Sequence, residues 1–168
     1  SPSAAQSAAG MIAPIAEAVD TEPLMFDMGM FALTQWPLWL QQLNATMNEP
    51  KTPIAYSHQG SLIVAHQRDQ ALLQQYHHDL QRQLPPSAQG QWVDSQKMQQ
   101  LECDMAAQFQ QGIFLPDEGH IDNRHLLSAL LARIEQLGGE CIAHTPVMVA
   151  PYSICQMNNE QTRPFDCV

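Results

Sequence analysis

The sequence predicts a mixed α+β domain whose sheet is more antiparallel than parallel. Two observations carry that expectation. Apolar residues recur at helical spacing in three long stretches, and short apolar runs bounded by turn residues fall between them. The resulting order is helix, hairpin, helix, strand, helix, strand, helix, strands, which is the order of an α+β layer architecture. A chain of 168 residues with 45% hydrophobic residues is long enough and apolar enough for one domain with a real core.

The elements follow in order. Residues 1–20 are rich in small side chains, punctuated by Gly10 and Pro14. Residues 23–47 carry Leu24, Phe26, Met28, Phe31, Leu33, Trp36, Trp39, Leu40 and Leu43 at helical spacing. Pro37 predicts a kink there or the start of a second helix, with Thr34 near its N-cap. Residues 53–66 place two apolar runs around Ser57-His58-Gln59-Gly60, a hairpin signal. Residues 67–84 put Leu72, Leu73, Tyr76 and Leu80 on one helical face. Trp92-Val93 suits a short strand, and Asp94 or Ser95 caps a short helix to about Glu102. "GIFLP" at 112–116 is a strand. Asp122 or Asn123 caps a helix from about Arg124 to Leu137 that buries Leu126, Leu127, Leu130, Leu131 and Ile134. Gly138-Gly139 stops it. "ECIAHTPVMVAPYSICQM" is strand-like with a break at Pro146, and "RPFDCV" is a last strand. The chain opens without Met and closes as that strand begins, so it is expected to be a segment of something longer.

Composition excludes several function classes. The net charge is -10 and only seven Lys and Arg are present, scattered, so no nucleic-acid surface is expected. No apolar run approaches a membrane span, and the small-residue start lacks the basic region of a signal peptide. Cys103, Cys141, Cys155 and Cys167 form no C-x-x-C pair, and free thiols in a cytoplasmic protein are the expectation.

Local chemistry is sparse. His77 and His78 are adjacent and point to different helix faces, and His120 and His125 are spaced wrongly for one ion, so no metal site is expected. There is no G-x-S-x-G, and Cys103 in "LECDM" has no local activator. Asp117, Glu118 and Asp122 are read as a solvated turn and helix cap rather than an acid–base pair. No catalytic residue is assigned. The abundant methionines read as core filling, except Met11. It follows Ser7-Ala8-Ala9-Gly10, a run small enough for a flat ligand to approach the backbone. The stretch 115–147 reads as strand, acidic turn, helix, glycine stop, strand. That pattern often serves nucleotides, yet no glycine-rich phosphate loop is present.

Four stretches resolve that tension. "SAAGMIAP" at 7–14, "HQGSLIVA" at 58–65, "LPDEGHIDNRHLLSAL" at 115–130 and "LGGECIAHTPV" at 137–147 stand in order and spacing. Together they resemble the FAD-dependent glycine/D-amino-acid oxidase family, of the glycine oxidase type found in thiamine biosynthesis. The resemblance covers nearly the whole chain. It implies the substrate domain of a D-amino-acid-oxidase-like flavoenzyme plus fragments of its FAD-binding domain. On that reading residues 1–20 hold a flavin-facing loop, 21–122 part of the substrate-binding domain, and 123–168 the helix and strands returning to the FAD domain. The family's G-x-G-x-x-G strand and turn would precede Ser1. Its carboxylate-binding Tyr and Arg would follow Val168.

By the resemblance, Gln6, Ser7, Ala8, Ala9, Gly10 and Met11 line the isoalloxazine ring of FAD, with Met11 nearest the substrate. Val147 presents its backbone to the adenine. "SPSAAQ" departs from the Arg/Thr-Thr-Ser polarity of some relatives, so contacts fall on the backbone of Ala9 and Gly10 rather than on Ala4 and Ala5 side chains. The implied reaction is oxidative deamination of glycine or a small D-amino acid to an imine, with hydrogen peroxide formed from oxygen. The implied partner is a small amino-acid substrate, with homo-oligomerisation open. Two alternatives remain: an amino-acid dehydrogenase or sarcosine-oxidase-like flavoenzyme, and a non-catalytic interaction domain of the same fold.

Overall fold

The structure, a computed structural model, describes residues 4–46, 53–105, 108–143, 145, 147–150, 153–156 and 162–164. It falls into two compact units, Ser1–Leu130 and Leu131–Val168.

The first unit opens with α1 (Ala4–Ser7), β1 (Met11–Ile12) and α2 (Pro14–Glu17). The small-residue start is thus a helical turn, a strand and a second turn. Next comes α3 (Pro23–Ala45), one continuous helix with Pro37 inside it. No second helix begins at Pro37, and Thr34 is not its cap. The Thr34 hydroxyl donates to the Phe31 carbonyl one turn back instead. Strands β2 (Tyr56–Ser57) and β3 (Ser61–Val64) lead through a 3-10 turn into α4 (Gln70–Gln83). After Pro86–Ala88 come β4 (Gln91–Asp94), α5 (Ser95–Leu101), β5 (Gln111–Leu115) and β6 (Gly119–Ile121). Helix α6 (Asn123–Gln136) crosses the division between the units.

The expected hairpin at 53–66 does not form. β2 pairs with β6, and β3 pairs with β5, both antiparallel. The segments 56–64 and 111–121 therefore run side by side as one ribbon, and the Gly60 turn marks a change of sheet. The register shifts by one residue there, from Ser57↔His120 to Ser61↔Leu115. That is the signature of an extra residue on the 116–119 side. The turn signal in the sequence was real, but turn chemistry does not say which strand a run will pair with. Gly60 has φ +90 and donates its N–H to the Glu118 carbonyl at 2.8 Å. A Cβ on Gly119 would lie 2.0 Å from the Ser57 carbonyl oxygen, so the ribbon closes only on glycine.

Two sheets result, β1-β6-β2 and β3-β5-β4. β5 is central in the second, and Ile113 and Leu115 are fully buried in it. They pack with Ile15, Ala18, Leu73, Leu80, Leu84 and Ala88. Gly112 makes room for the Met98 sulfur of α5. A second core joins Leu40 and Leu43 of α3 to Ile54, Ile121, Leu126 and Ala129. Helix α3 so feeds both cores, with Phe26 and Met30 against the first and Leu40 and Leu43 in the second. Its other face leaves Leu24, Met25, Met28, Phe31, Leu38 and Trp39 exposed.

The caps follow the sequence. Asp94 accepts from the Lys97 N–H at 2.8 Å, and Asp122 from the His125 N–H at 3.0 Å. Gly138, at φ +82, donates to the Glu135 carbonyl, and Gly139 donates to the Ile134 carbonyl. This pair of bonds is a Schellman stop. The buried face of α6 is narrower than its pattern suggests. Leu126 is buried, but Leu130, Leu131 and Ile134 are exposed. Periodicity marks an apolar face without supplying what covers it.

In the second unit, residues 140–143 are not a strand, so the expected entry at "CIA" is corrected to Val147, beyond Pro146. β7 (Val147–Ala150), β8 (Ser153–Gln156) and β9 (Thr162–Pro164) form an antiparallel meander. The last strand expected at "RPFDCV" is seen at Arg163–Pro164; the rest of it lies outside the described residues.

Candidate functional site

The strip from Ala4 to Ile12 lies along residues 118–124 and is held there largely through its backbone. The Asn123 side-chain amide donates to the carbonyls of Ala5 and Ala8, at 2.5 and 2.7 Å. Arg124 donates to the Gln6 carbonyl at 3.4 Å. The Gly10 carbonyl accepts from the Ile121 N–H at 2.9 Å. Met11 and Ile12 pair with His120 and Gly119. Two motifs separated by a hundred residues thus form one structure.

From Ala4 to Ala9, and again at Met11, this anchoring leaves the side chains outward. Ser7, Ala8 and Ala9 are exposed, and Met11 is 62% exposed. Gly10 has φ +76, and a Cβ there would lie 2.1 Å from the Ile121 carbonyl oxygen. Its glycine therefore serves the fold first. Beside Met11 opens a cleft of about 320 Å³, lined by Ile12, Pro14, Met25, Phe26, Met28 and Gly29 among others. Small exposed side chains on a rigid backbone, ending in an exposed thioether, suit the flat face of an isoalloxazine ring. Gln6 to Met11 are thus brought together, while Val147 begins β7 in the other unit, paired with Gln156.

Glu118 was misread from sequence. It is fully buried, the one buried charged side chain among the described residues, and not part of a solvated turn. Its Oε1 accepts the Ala16 N–H at 2.6 Å, the Ile15 N–H also reaches the carboxylate, and Oε2 accepts the Ser61 hydroxyl. These amides open α2, whose N-cap, Ala13, has no side chain to offer. Glu118 caps that turn from 102 residues further along the chain. Burial pushes its carboxyl above the ordinary value, against the opposing pull of those hydrogen bonds. A helix start at Pro14 without Ser, Thr, Asp or Asn before it was the signal that an acceptor must come from elsewhere. Tyr76 donates to the Ala16 carbonyl, and burial, then the Glu118 charge, pushes its phenol up to about 12.

The other candidates stay apart. His77 is half-buried, its ring 5.4 Å from Trp92, and His78 is exposed; both border a polar hollow with Gln74, Gln81 and Gln111. Burial holds the His77 imidazole below its ordinary value. His120 is exposed and His125 half-buried. Cys103 lies with Glu102 and Asp104 on an exposed turn. Asp117 is exposed and Asp122 is the cap of α6. Among the described residues, no helix is long and apolar enough to cross a membrane.

Comparison with known proteins fixes the class. Residues 2–152 match the family model for DAO, FAD dependent oxidoreductase, and the chain belongs to that family. Within it, a Rhizobium etli protein designated a thiamine biosynthesis oxidoreductase, ThiO, is 29% identical over 128 residues, 76% of this chain and 33% of its own length. The fold is similar to that of glycine oxidase from Geobacillus kaustophilus (TM-score 0.74, 16% identity, 96% of this chain and 43% of that one). It is also similar to iminodiacetate oxidase from Chelativorans sp. BNC1 (TM-score 0.68, 18% identity, 97% and 44%). The chain therefore spans about a third of the curated relative and under half of each solved chain.

Proposed function

We propose that this chain is part of a flavin-dependent amine oxidase that deaminates glycine or a small D-amino acid, releasing hydrogen peroxide. The observation that carries the reading is the exposed Ser7–Met11 strip, backbone-anchored along residues 118–124, within a chain of the FAD-dependent family. Gln6, Ser7, Ala8, Ala9, Gly10 and Met11 would face the isoalloxazine ring, and Val147 would present its backbone to the adenine. Residues 1–20 and 123–168 would belong to the FAD domain, and 21–122 to the substrate domain.

FAD, when bound, supplies the hydride acceptor. The protein's own part would be to support the ring along the backbone of Ala9 and Gly10 and to keep Met11 on its substrate side. An amino acid bound with a neutral amine needs no acid or base from this segment. A place in thiazole synthesis is suggested by the likeness to ThiO. A cytoplasmic setting is supported by the free thiols of Cys103 and Cys141.

The test is the visible spectrum of the full-length protein, followed by addition of glycine in air. A flavin spectrum bleached by glycine, with peroxide released, is the expected result. Bleaching without peroxide would favour a dehydrogenase. Absence of flavin would overturn the reading in favour of an interaction domain.

A further inference from the structure

We propose that Glu118 is a positioning residue for the flavin-facing strip: its buried carboxylate fixes where Met11 sits by clamping the turn that follows it. The proposal rests on the reading that Gly10 and Met11 face the flavin. Its physical basis is independent of that reading.

The strip has anchors on both sides of Met11. On the N-terminal side, Asn123, Arg124 and Ile121 hold the carbonyls of Ala5, Ala8, Gln6 and Gly10. On the C-terminal side, the clamp on the amides of Ile15 and Ala16 is the Glu118 carboxylate, with Tyr76 on the Ala16 carbonyl. The same carboxylate takes the Ser61 hydroxyl of β3, and the Glu118 carbonyl takes the Gly60 N–H. One side chain thus ties α2, β3 and the β5–β6 turn together, directly before the strand that pairs with Met11 and Ile12.

A cap could have been supplied locally by a Ser or Asp at position 13. That would have satisfied the amides but left α2 with the packing of Ile15 and no polar tie to β3. A buried carboxylate bonded to both α2 and β3 adds that tie, because moving α2 strands the charge without its partners. A displacement of about 1 Å at a reacting centre is enough to cost up to ~100-fold in rate.

The test uses the full-length flavoprotein and the variants Glu118→Gln, Ser61→Ala and Met11→Gln. In the apoprotein of Glu118→Gln, amide exchange at Ile15 and Ala16 should accelerate about tenfold, the scale of a lost charge-assisted hydrogen bond. In the holoprotein, the visible flavin bands should shift and kcat should fall about tenfold, with KM changed less than about twofold. A lower Tm with unchanged bands, kcat and KM would overturn the proposal and leave Glu118 a purely structural cap. If Glu118→Gln does not fold, Ser61→Ala removes one donor only. It should shift the same readouts in the same direction by less, and no change in them would overturn the proposal. Met11→Gln separates the two readings. Band shifts with Met11→Gln but not with Glu118→Gln refute the positioning role alone. No band shift with Met11→Gln refutes the flavin-facing strip itself.

Discussion

The ribbon of the first unit and the meander of the second solve the same pairing problem in opposite ways. In the ribbon, Tyr56 pairs with Ile121 and Val64 with Gly112, partners some fifty to sixty-five residues apart. In the meander, Ala150 pairs with Ser153 and Cys155 with Thr162. Local pairing needs little more than a turn. Distant pairing must be specified by shape, and here two glycines and one buried acid supply it. The part of the molecule that bears the candidate site is the part with the costlier, more exacting closure.

The largest test of that difference is Gly119→Ala. Its Cβ would meet backbone on the facing strand, so the ribbon must part, and we expect a loss of about 4 kcal/mol or more in urea denaturation. A loss under about 1 kcal/mol would mean the closure is slack and the contrast is false. Next is Ile113→Ala, at the fully buried centre of β5, which should cost about 3 kcal/mol by the same measurement. Gly138→Ala is the counterpart in the second unit. No atom lies within 4 Å of a Cβ there, so only the left-handed backbone is penalised, about 1 kcal/mol. If Gly138→Ala costs as much as Gly119→Ala, steric closure is not what separates the two.

The smallest effect is in pH. The Glu118 carboxyl is raised in the folded state, so the folded chain binds more protons than the unfolded chain just above the ordinary carboxylate value of 4.5. Its contribution to stability is therefore full below 4.5 and is lost as pH rises through the raised folded value. Glu118→Gln should remove that downward slope from a plot of unfolding free energy against pH. An unchanged slope would assign it to another group.

Much of the fold was legible where the cause is local. The face of α4 around Leu73, Tyr76 and Leu80 (though not Leu72, which is exposed), the caps at Asp94 and Asp122 and the glycine stop at 138–139 each depend on neighbours within a turn or two. The strand at 111–115 was legible for the same reason. The partner of each strand was not. Ser57-His58-Gln59-Gly60 reads as a hairpin because nothing nearby states that 111–121 will compete for both runs. Glu118 looked solvated because its burial is decided by amides 102 residues earlier in the chain. Leu130, Leu131 and Ile134 carried the pattern of a core face but are exposed. For the site, the small run before Met11 draws attention to the strip in the sequence, while Glu118, buried beneath the turn that follows it, reads there only as a turn acid.

The wide separation of the strip from its anchors bears on how the protein comes into being on the ribosome. Residues 5–12 emerge well before residues 118–124, whose groups make the hydrogen bonds that hold them. At about 5–20 residues added per second, the strip waits roughly 5–20 s for the stretch that secures it. During that interval it is without its partner strand, open to chaperones and proteases. A slow codon between the two stretches would lengthen that exposure, whereas the same codon ahead of the strip would not.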